Sequence, residues 1–400
     1  MKKLKKWLFV IAFNLILFAL ILAAAEFMAR RAFDNKFLTE GNQYVFFEFD
    51  KMLGWRGKPD SSGSFNREGE FKTFVKINSQ GLRDMEYSIE KPADSFRVAV
   101  LGDSFTWGFG VENEEIYTEV LERELGDGFE VINFGISGFG RGQQLLLLES
   151  EVLEYEPDAV VVLAYPGNDL YDNIADDPQY EIYPRPAFSL DEKGQLQIKG
   201  QPIKNPSGDF SERLFMRHTG KWMRYYSRSY LFRIAYHLVN DVKKSWQHDP
   251  SGYLADIYLA EKMPLLEEQK RVESAILAKM KTLLDKRGIP MLYVVATTPE
   301  MVRRDLQHDL RNKFPDLEVN WYQTEALLMQ AAVENGIESL ILRSQMQASH
   351  DKGEAVHNEK DFHWTVLGNE IAGKAIKPWV MRVLAQKTKE REAAAAATTP

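Results

Sequence analysis

The sequence predicts an α/β protein, a three-layer α/β/α sandwich with a central parallel sheet, preceded by one N-terminal transmembrane helix. Short apolar segments alternate with amphipathic helical segments along most of the chain, an order that favours parallel strands covered by helices on both faces. A long apolar run stands near the N-terminus. With 400 residues, 44% of them hydrophobic and 27% charged, the chain has the composition of a globular protein with one large domain or two smaller ones.

The N-terminal segment is predicted to anchor the chain in a membrane. Residues 1–6 carry four lysines, and the segment 7–25 contains Asn14 as its only polar residue. About 20 apolar residues span a bilayer as a helix, and the lysines favour the cytoplasmic side. We therefore expect a single-pass inner-membrane protein whose remaining chain is periplasmic or outside the cell. Cleavage as a signal peptide at the alanines 23–25 is the alternative; the length of the apolar run favours an uncleaved anchor.

Composition excludes several function classes. The net charge of −8 argues against nucleic acid as a main partner. The chain has no cysteine, which removes disulfides, thiolate nucleophiles and cysteine-based metal sites and suits an oxidising compartment.

The remaining chain divides by pattern into three segments, the second of which carries an insertion. Residues 26–95 are a lead-in, in which 53–70 is predicted to be loop because it is rich in Gly, Ser and charge, and FKTFVKIN is predicted to be a short strand. Residues 96–385 form the main domain, with an irregular insertion at 171–258. The insertion contains a predicted hairpin, FSLDEKGQLQIKG, and a predicted amphipathic helix, KWMRYYSRSYLFRIAYHL. Residues 386–400 are of low complexity and predicted to be disordered.

Five segments of the main domain read as strands, each followed by a segment with helical spacing. They are FRVAVL, FEVINF, DAVVVLAY, PMLYVVATT and IESLILR, and long helices are expected near 265–286, 322–334 and 365–385. The run DAVVVLAY is almost continuously apolar, as is typical of a strand buried on both faces of a parallel sheet.

Polar side chains follow the first three of these strands. Ser104 stands in GDSF, Gly138 in NFGISGFGRG and Asn168 in PGNDL. The carboxyl ends of parallel strands share one edge of a sheet, where open α/β folds hold their ligands, so we expect these loops to converge. Taken alone, Ser104 would be a turn serine.

The C-terminal stretch KDFHW supplies the remaining groups for acyl transfer. Asp361 and His363 lie two residues apart, and in an extended segment their side chains would project to the same side. Asp361 would then orient His363, and His363 would take the proton of the Ser104 hydroxyl. The backbone at Gly138 and the amide of Asn168 are suitable donors to an oxyanion.

Other interpretations explain less. A dinucleotide loop over Gly135–Gly140 lacks the acidic residue expected at the end of the next strand. A metal site of Asp351, His357, Asp361 and His363 would leave Ser104 and Asn168 without a role. Asp103 is expected to cap or turn the chain, and Asp169 to support the Asn168 loop. No metal or cofactor is predicted.

The four blocks GDSFT, NFGISG, GND and Asp361-Phe362-His363 resemble those of the SGNH (GDSL-type) hydrolase superfamily. The resemblance covers 96–379 apart from the insertion and implies a flavodoxin-like fold. It implies Ser104 as nucleophile and Asp361 with His363 as the acid–base pair. By the same resemblance, the oxyanion hole would consist of the N–H groups of Ser104 and Gly138 and the Asn168 side chain.

Two departures from the family pattern bear on the reaction. Family members usually show Gly-x-Asn-Asp and Asp-x-x-His, whereas here Gly167 directly precedes Asn168 and the last block is Asp-x-His-Trp. That last block is similar to SGNH-like proteins that O-acetylate extracellular polysaccharides such as alginate.

The predicted function is a serine-dependent ester hydrolase acting on an envelope or extracellular glycan or lipid. The alternatives are an O-acetyltransferase with the same triad and a catalytically inactive glycan-binding module.

Overall fold

Five parallel strands form the central sheet of the computed structural model, which describes residues 2–32, 43–67, 69–173, 185–204, 229, 231–232, 257–313, 315–316 and 318–398. In chain order the strands are β1 (Phe47–Asp50), β2 (Gly54–Gly57), β3 (Ser62–Arg67), β4 (Phe71–Lys76), β5 (Phe96–Leu101), β6 (Phe129–Asn133), β7 (Ala159–Ala164), β8 (Ala187–Leu190), β9 (Leu196–Lys199), β10 (Met291–Val295) and β11 (Glu338–Ile341). The central sheet has the order β11-β10-β7-β5-β6, with every neighbouring pair parallel. The predicted parallel sheet is confirmed.

Helices other than α1 cover both faces of this sheet. In chain order the helices of the described residues are α1 (Lys2–Ala32), α2 (Ser104–Trp107), α3 (Tyr117–Leu125), α4 (Arg141–Ser150), α5 (Asp169–Asp172), α6 (Met263–Asp285), α7 (Pro299–Val302), α8 (Arg304–Lys313), α9 (Gln323–Glu334), α10 (Arg343–His350) and α11 (Val366–Thr398). Alternate residues of β5 enter different cores: Ala99 and Leu101 pack with α4, α6 and α9, whereas Val98 and Val100 pack with α3 and α11. This alternation gives the three layers.

The strand predicted at FKTFVKIN is confirmed as β4, but the prediction that 53–70 is loop is wrong where β2 and β3 form. The lead-in contains two antiparallel hairpins, β1–β2 and β3–β4. Trp55 and Phe65 are buried in the same core as Trp107 of α2. Packing against the main domain overrides the weak strand propensity of the Gly- and Ser-rich sequence.

Two further predictions concern the insertion and the tail. The hairpin β8–β9 is confirmed, with Phe188 opposite Ile198. Nearly all of the predicted amphipathic helix at 221–238 lies outside the described residues. The predicted disordered tail is wrong as far as Thr398, because α11 continues to that residue. Alanine, which dominates this stretch, is the strongest helix former.

One helix in the described ranges is long and apolar enough to cross a membrane. The segment Lys5–Ala29 of α1 has a hydropathy of 2.8, and none of its apolar window is buried inside the protein. Its length and composition suit either a membrane anchor or a signal sequence.

Candidate active site

Ser104 is the first residue of the short helix α2, directly beyond the carboxyl end of β5. Asp103 precedes it as the N-cap, and its Oδ1 accepts the N–H of Phe105 at 3.0 Å, as the sequence predicts. A side chain at Gly102 would lie 1.9 Å from Thr106 Oγ1, so only glycine allows this tight turn. The strand therefore ends in a rigid turn that holds the Ser104 hydroxyl at the edge of the sheet.

The structure brings the three predicted triad residues together. Ser104 Oγ lies 2.8 Å from His363 Nε2. His363 Nδ1 lies 3.6 Å from Asp361 Oδ1, which is an ion-pair distance rather than a hydrogen bond. The same Oδ1 accepts the backbone N–H of His363 at 2.9 Å. Catalytic contacts of this kind are often long before substrate binds.

The expected extended conformation of this segment is wrong. Phe362 has φ +68°, in the left-handed region that non-glycine residues seldom adopt. The chain therefore turns between Asp361 and His363, and the carboxylate approaches the imidazole through this turn.

The environment of Asp361 favours its ionised form. Burial alone would raise the pKa of Asp361, but the hydrogen bonding and charge of His363, together with the charge of Arg67, outweigh burial and lower the pKa below its usual value. Arg67 Nη1 lies 3.3 Å from Asp361 Oδ2.

Aromatic side chains connect the loops that carry these groups. The Phe105 ring centroid lies 4.3 Å from that of Tyr165, 4.8 Å from His363 and 5.0 Å from Trp364. Phe109 stacks on the His363 ring at 4.1 Å and 16°. The loops after β5 and β7 and the C-terminal block are thereby packed as one unit.

The glycine loop after β6 lies against the nucleophile helix. A side chain at Gly135 would come within 2.5 Å of the Thr106 carbonyl carbon and of Trp107 N. The N–H of Ile136 donates to the Gly102 carbonyl at 3.2 Å. Gly138 has φ +81°, a conformation in which side chains are strained. Its part in an oxyanion hole stays a prediction.

Asn168 is held by contacts within its own loop. Its Nδ2 donates to Asp172 Oδ2 at 2.6 Å, and Arg185 Nη1 pairs with the other Asp172 oxygen at 3.1 Å. Within the part of the chain that the structure describes, Asn168 Oδ1 is buried without a hydrogen-bond partner. One amide proton of Nδ2 is left over from the bond to Asp172, and its use as an oxyanion donor stays a prediction.

A buried charge network supports the Asn168 loop. Arg141 pairs with Asp169 Oδ2 at 2.7 Å and with Glu273 Oε1 at 2.9 Å, and the three side chains are fully buried. Asp169 Oδ2 also accepts the N–H of Tyr165 at 2.8 Å. The sequence indicates the support by Asp169, but it gives no sign of Arg141 or Glu273, which come from distant helices.

Further residues around the site were not predicted. The lead-in supplies Arg67 and Arg83; Arg83 donates to the carbonyls of Gly108 and Val111, both at 2.5 Å. Phe109 and the other aromatic residues of FTWGFGV could be recognised from the sequence, because apolar side chains between glycines indicate a packed turn. Arg67 and Arg83 could not be recognised, because each is one of many charged residues in a polar segment.

Comparison with known proteins finds similarity for the first part of the main domain. Residues 100–190 match the model of the GDSL-like lipase/acylhydrolase family. An acetylxylan esterase from Xylanibacter ruminicola is 36% identical over 104 residues, which cover 23% of this chain and 22% of the esterase. The segment 100–190 is thus similar in sequence to GDSL-like lipases and acylhydrolases, and the chain spans about a fifth of the length of the curated relative that it matches.

Two solved structures are similar in outline. A GDSL-like lipase from Bacteroides thetaiotaomicron has 14% identity and a TM-score of 0.36, covering 74% of this chain and 92% of that one. A carbohydrate acetylesterase family member from Sinorhizobium meliloti has 12% identity and a TM-score of 0.36, covering 72% and 99%. Values this low do not define a substrate.

Proposed function

We propose that the chain is a serine-dependent ester hydrolase that removes an acyl group from a glycan outside the cytoplasm. The observation that carries the proposal is the 2.8 Å contact between Ser104 Oγ and His363 Nε2 at the carboxyl edge of the parallel sheet. The similarity to an acetylxylan esterase supports an acetylated glycan over a lipid ester.

The proposed reaction passes through an acyl-enzyme on Ser104. His363 Nε2 accepts the hydroxyl proton while Ser104 Oγ bonds to the ester carbonyl carbon. The tetrahedral intermediate collapses when the bond to the glycan oxygen breaks and His363 returns the proton to that oxygen. Water then attacks the acyl-enzyme by the same steps and releases the acid. Asp361 orients His363 and balances its charge.

The oxyanion of the tetrahedral intermediate needs donors. The N–H groups of Ser104 and Gly138 and the free amide proton of Asn168 are proposed for this role. Loss of one such donor costs about 100- to 1,000-fold in kcat, so Asn168→Ala is expected to retain substrate binding and lose activity to that extent.

The compartment is part of the proposal. We infer that the apolar helix α1 holds the domain at the outer face of the inner membrane, because its lysines favour the cytoplasmic side. A topology reporter fused after residue 45 is expected to be active only outside the cytoplasm. Activity confined to the cytoplasm would contradict this orientation.

An O-acetyltransferase is the second candidate. The Asp-x-His-Trp block favours it, because that block is similar to SGNH-like proteins that O-acetylate extracellular polysaccharides. The triad chemistry is the same, and only the acceptor changes from water to a sugar hydroxyl.

Acetyl release from acetylated xylan oligosaccharides tests both candidates. Wild type is expected to release acetate with or without an added unacetylated oligosaccharide, and Ser104→Ala is expected to lose at least about 10,000-fold in kcat. Transfer of acetyl to the added sugar in preference to water would replace the hydrolase with the transferase. Equal rates for wild type and Ser104→Ala would reject both.

A further inference from the structure

We propose that the β3–β4 hairpin of the lead-in positions the Asp361–His363 pair, with Arg67 and Glu70 as its positioning residues. This inference rests on the proposed function for its catalytic consequence. The two residues flank the hairpin turn and reach the C-terminal block across 290 residues or more of sequence.

The hairpin turn holds the Asp361 carboxylate and backbone from two sides. Arg67 Nη1 lies 3.3 Å from Asp361 Oδ2, and the Asp361 side chain is only 3% exposed. Glu70 Oε1 accepts the N–H of Asp361 at 3.3 Å and also the N–H of Lys360. Arg67 and Glu70 pair with each other at 3.5 Å. The turn that carries Asp361 is thus tied to the hairpin through both charge and backbone.

The Asp-x-His spacing makes this support necessary. Asp361 Oδ1 accepts the backbone N–H of His363 at 2.9 Å and faces His363 Nδ1 at 3.6 Å, so Oδ2 is the oxygen that remains for a second charged partner. A buried carboxylate without such a partner is costly. In addition, Phe362 at φ +68° is a strained conformation, which persists only where the surroundings fix it.

The same hairpin supports His363 through aromatic packing. Phe65 and Phe71 contact Phe109 edge-on, with ring centroids 4.8 Å and 5.7 Å apart. Phe109 in turn stacks on the His363 ring. One hairpin therefore contacts Asp361 by charge and His363 through a single intervening ring.

The kinetic test compares Arg67→Met with Arg56→Met. Arg56 is a matched control because it also lies in the lead-in and forms an ion pair, with Glu151 at 3.2 Å, at 30% side-chain exposure. Arg67→Met is expected to lower kcat for acetyl-ester hydrolysis about 10- to 100-fold by misplacing the pair, with little change in KM. Arg67→Lys is expected to keep part of the kcat that Arg67→Met loses. Arg56→Met is expected to leave kcat unchanged.

An NMR titration of the Asp361 carboxyl separates positioning from general stability. His363 and, to a smaller extent, Arg67 lower the pKa of Asp361, so removal of Arg67 should raise that pKa, whereas Arg56→Met should leave it in place. Equal kcat and an unchanged Asp361 pKa in Arg67→Met would overturn the proposal.

Hydrogen exchange tests the inference independently of activity. The peptide 357–364 is expected to exchange faster in Arg67→Met and Glu70→Ala than in wild type or Arg56→Met. If wild type hydrolyses no ester but this exchange difference is present, the proposed function fails and the positioning role stands. If hydrolysis depends on Ser104 but exchange and kcat are unchanged in both variants, the positioning role fails alone.

Discussion

Two buried ionisable residues near the Ser104–His363 pair have pKa values shifted in opposite directions. Burial raises the pKa of Asp103 to about 6, and burial lowers the pKa of His357 to about 4. Asp103 belongs to the turn that holds Ser104. His357 stands six residues before His363, and its Nε2 lies 2.9 Å from the carbonyl of Thr297, so it serves as a donor to backbone rather than as a second base.

The shift at His357 predicts a pH-dependent stability. The unfolded chain binds a proton near the usual histidine pKa of about 6.5, whereas the folded chain binds it only near pH 4. Between pH 6.5 and pH 4 the unfolded state therefore binds more protons than the folded state. The stability that His357 contributes in its neutral, buried form is complete above pH 6.5 and is lost as the pH falls. Between pH 7 and 4.5 the free energy of unfolding decreases by about 2–3 kcal/mol through this residue.

Urea unfolding of wild type and His357→Gln at these two pH values checks this prediction. On acidification, the free energy of unfolding of His357→Gln is expected to fall by about 2–3 kcal/mol less than that of wild type. The control His308→Gln, at an exposed position, is expected to behave as wild type. Titration of Asp103 is common to all three proteins and cancels in the comparison. An identical pH dependence for wild type and His357→Gln would contradict the assigned environment.

Among the secondary-structure elements, the Arg141 network joins α4 to α6 and to the loop after β7. Removing one partner of a buried pair leaves an uncompensated charge, which costs about 3–5 kcal/mol. Arg141→Met should therefore lower the free energy of unfolding by about that amount, and the Asn168 loop should lose its support.

Thermal and urea unfolding measure this effect against Lys374→Met. Lys374 pairs with Glu370 at 3.2 Å, and the two side chains are 54% and 41% exposed; an exposed pair of that kind contributes at most about 1 kcal/mol. A similar decrease in the free energy of unfolding in the two variants would contradict the prediction that a buried ion pair is more costly to break than an exposed one.

The same elements show what sequence could and could not predict. The three inner strands of the central sheet, β5, β7 and β10, are fully buried and mostly apolar runs, and such runs can be recognised in the sequence alone. The four blocks of the site follow strands of this sheet or precede the last helix, so their convergence follows from the parallel topology. Of the hairpins β1–β2 and β3–β4, the sequence predicts only β4, whose buried residues alternate with exposed ones. The other three strands have no such pattern, and the hairpins pack on Trp107 and Phe109. Arg67 and Glu70 could not be recognised because their partner lies at the other end of the chain.

The whole molecule brings together side chains from opposite ends of its sequence. Ser104 stands at the start of the main domain and His363 at its end, 259 residues apart. Between them, the sheet places three loops at one edge, and the lead-in packs against that edge from outside. The central claim is that this convergence makes Ser104 a nucleophile that His363 activates.

Labelling of the full-length protein with a fluorophosphonate serine probe tests this claim most directly. The account predicts rapid modification of wild type and of Ser344→Ala, an exposed control, with the label mapped to Ser104 by peptide mass. Ser104→Ala should remain unlabelled, and His363→Ala should react far more slowly. Equal labelling of all four proteins, or a label mapped to another serine in wild type, would contradict it.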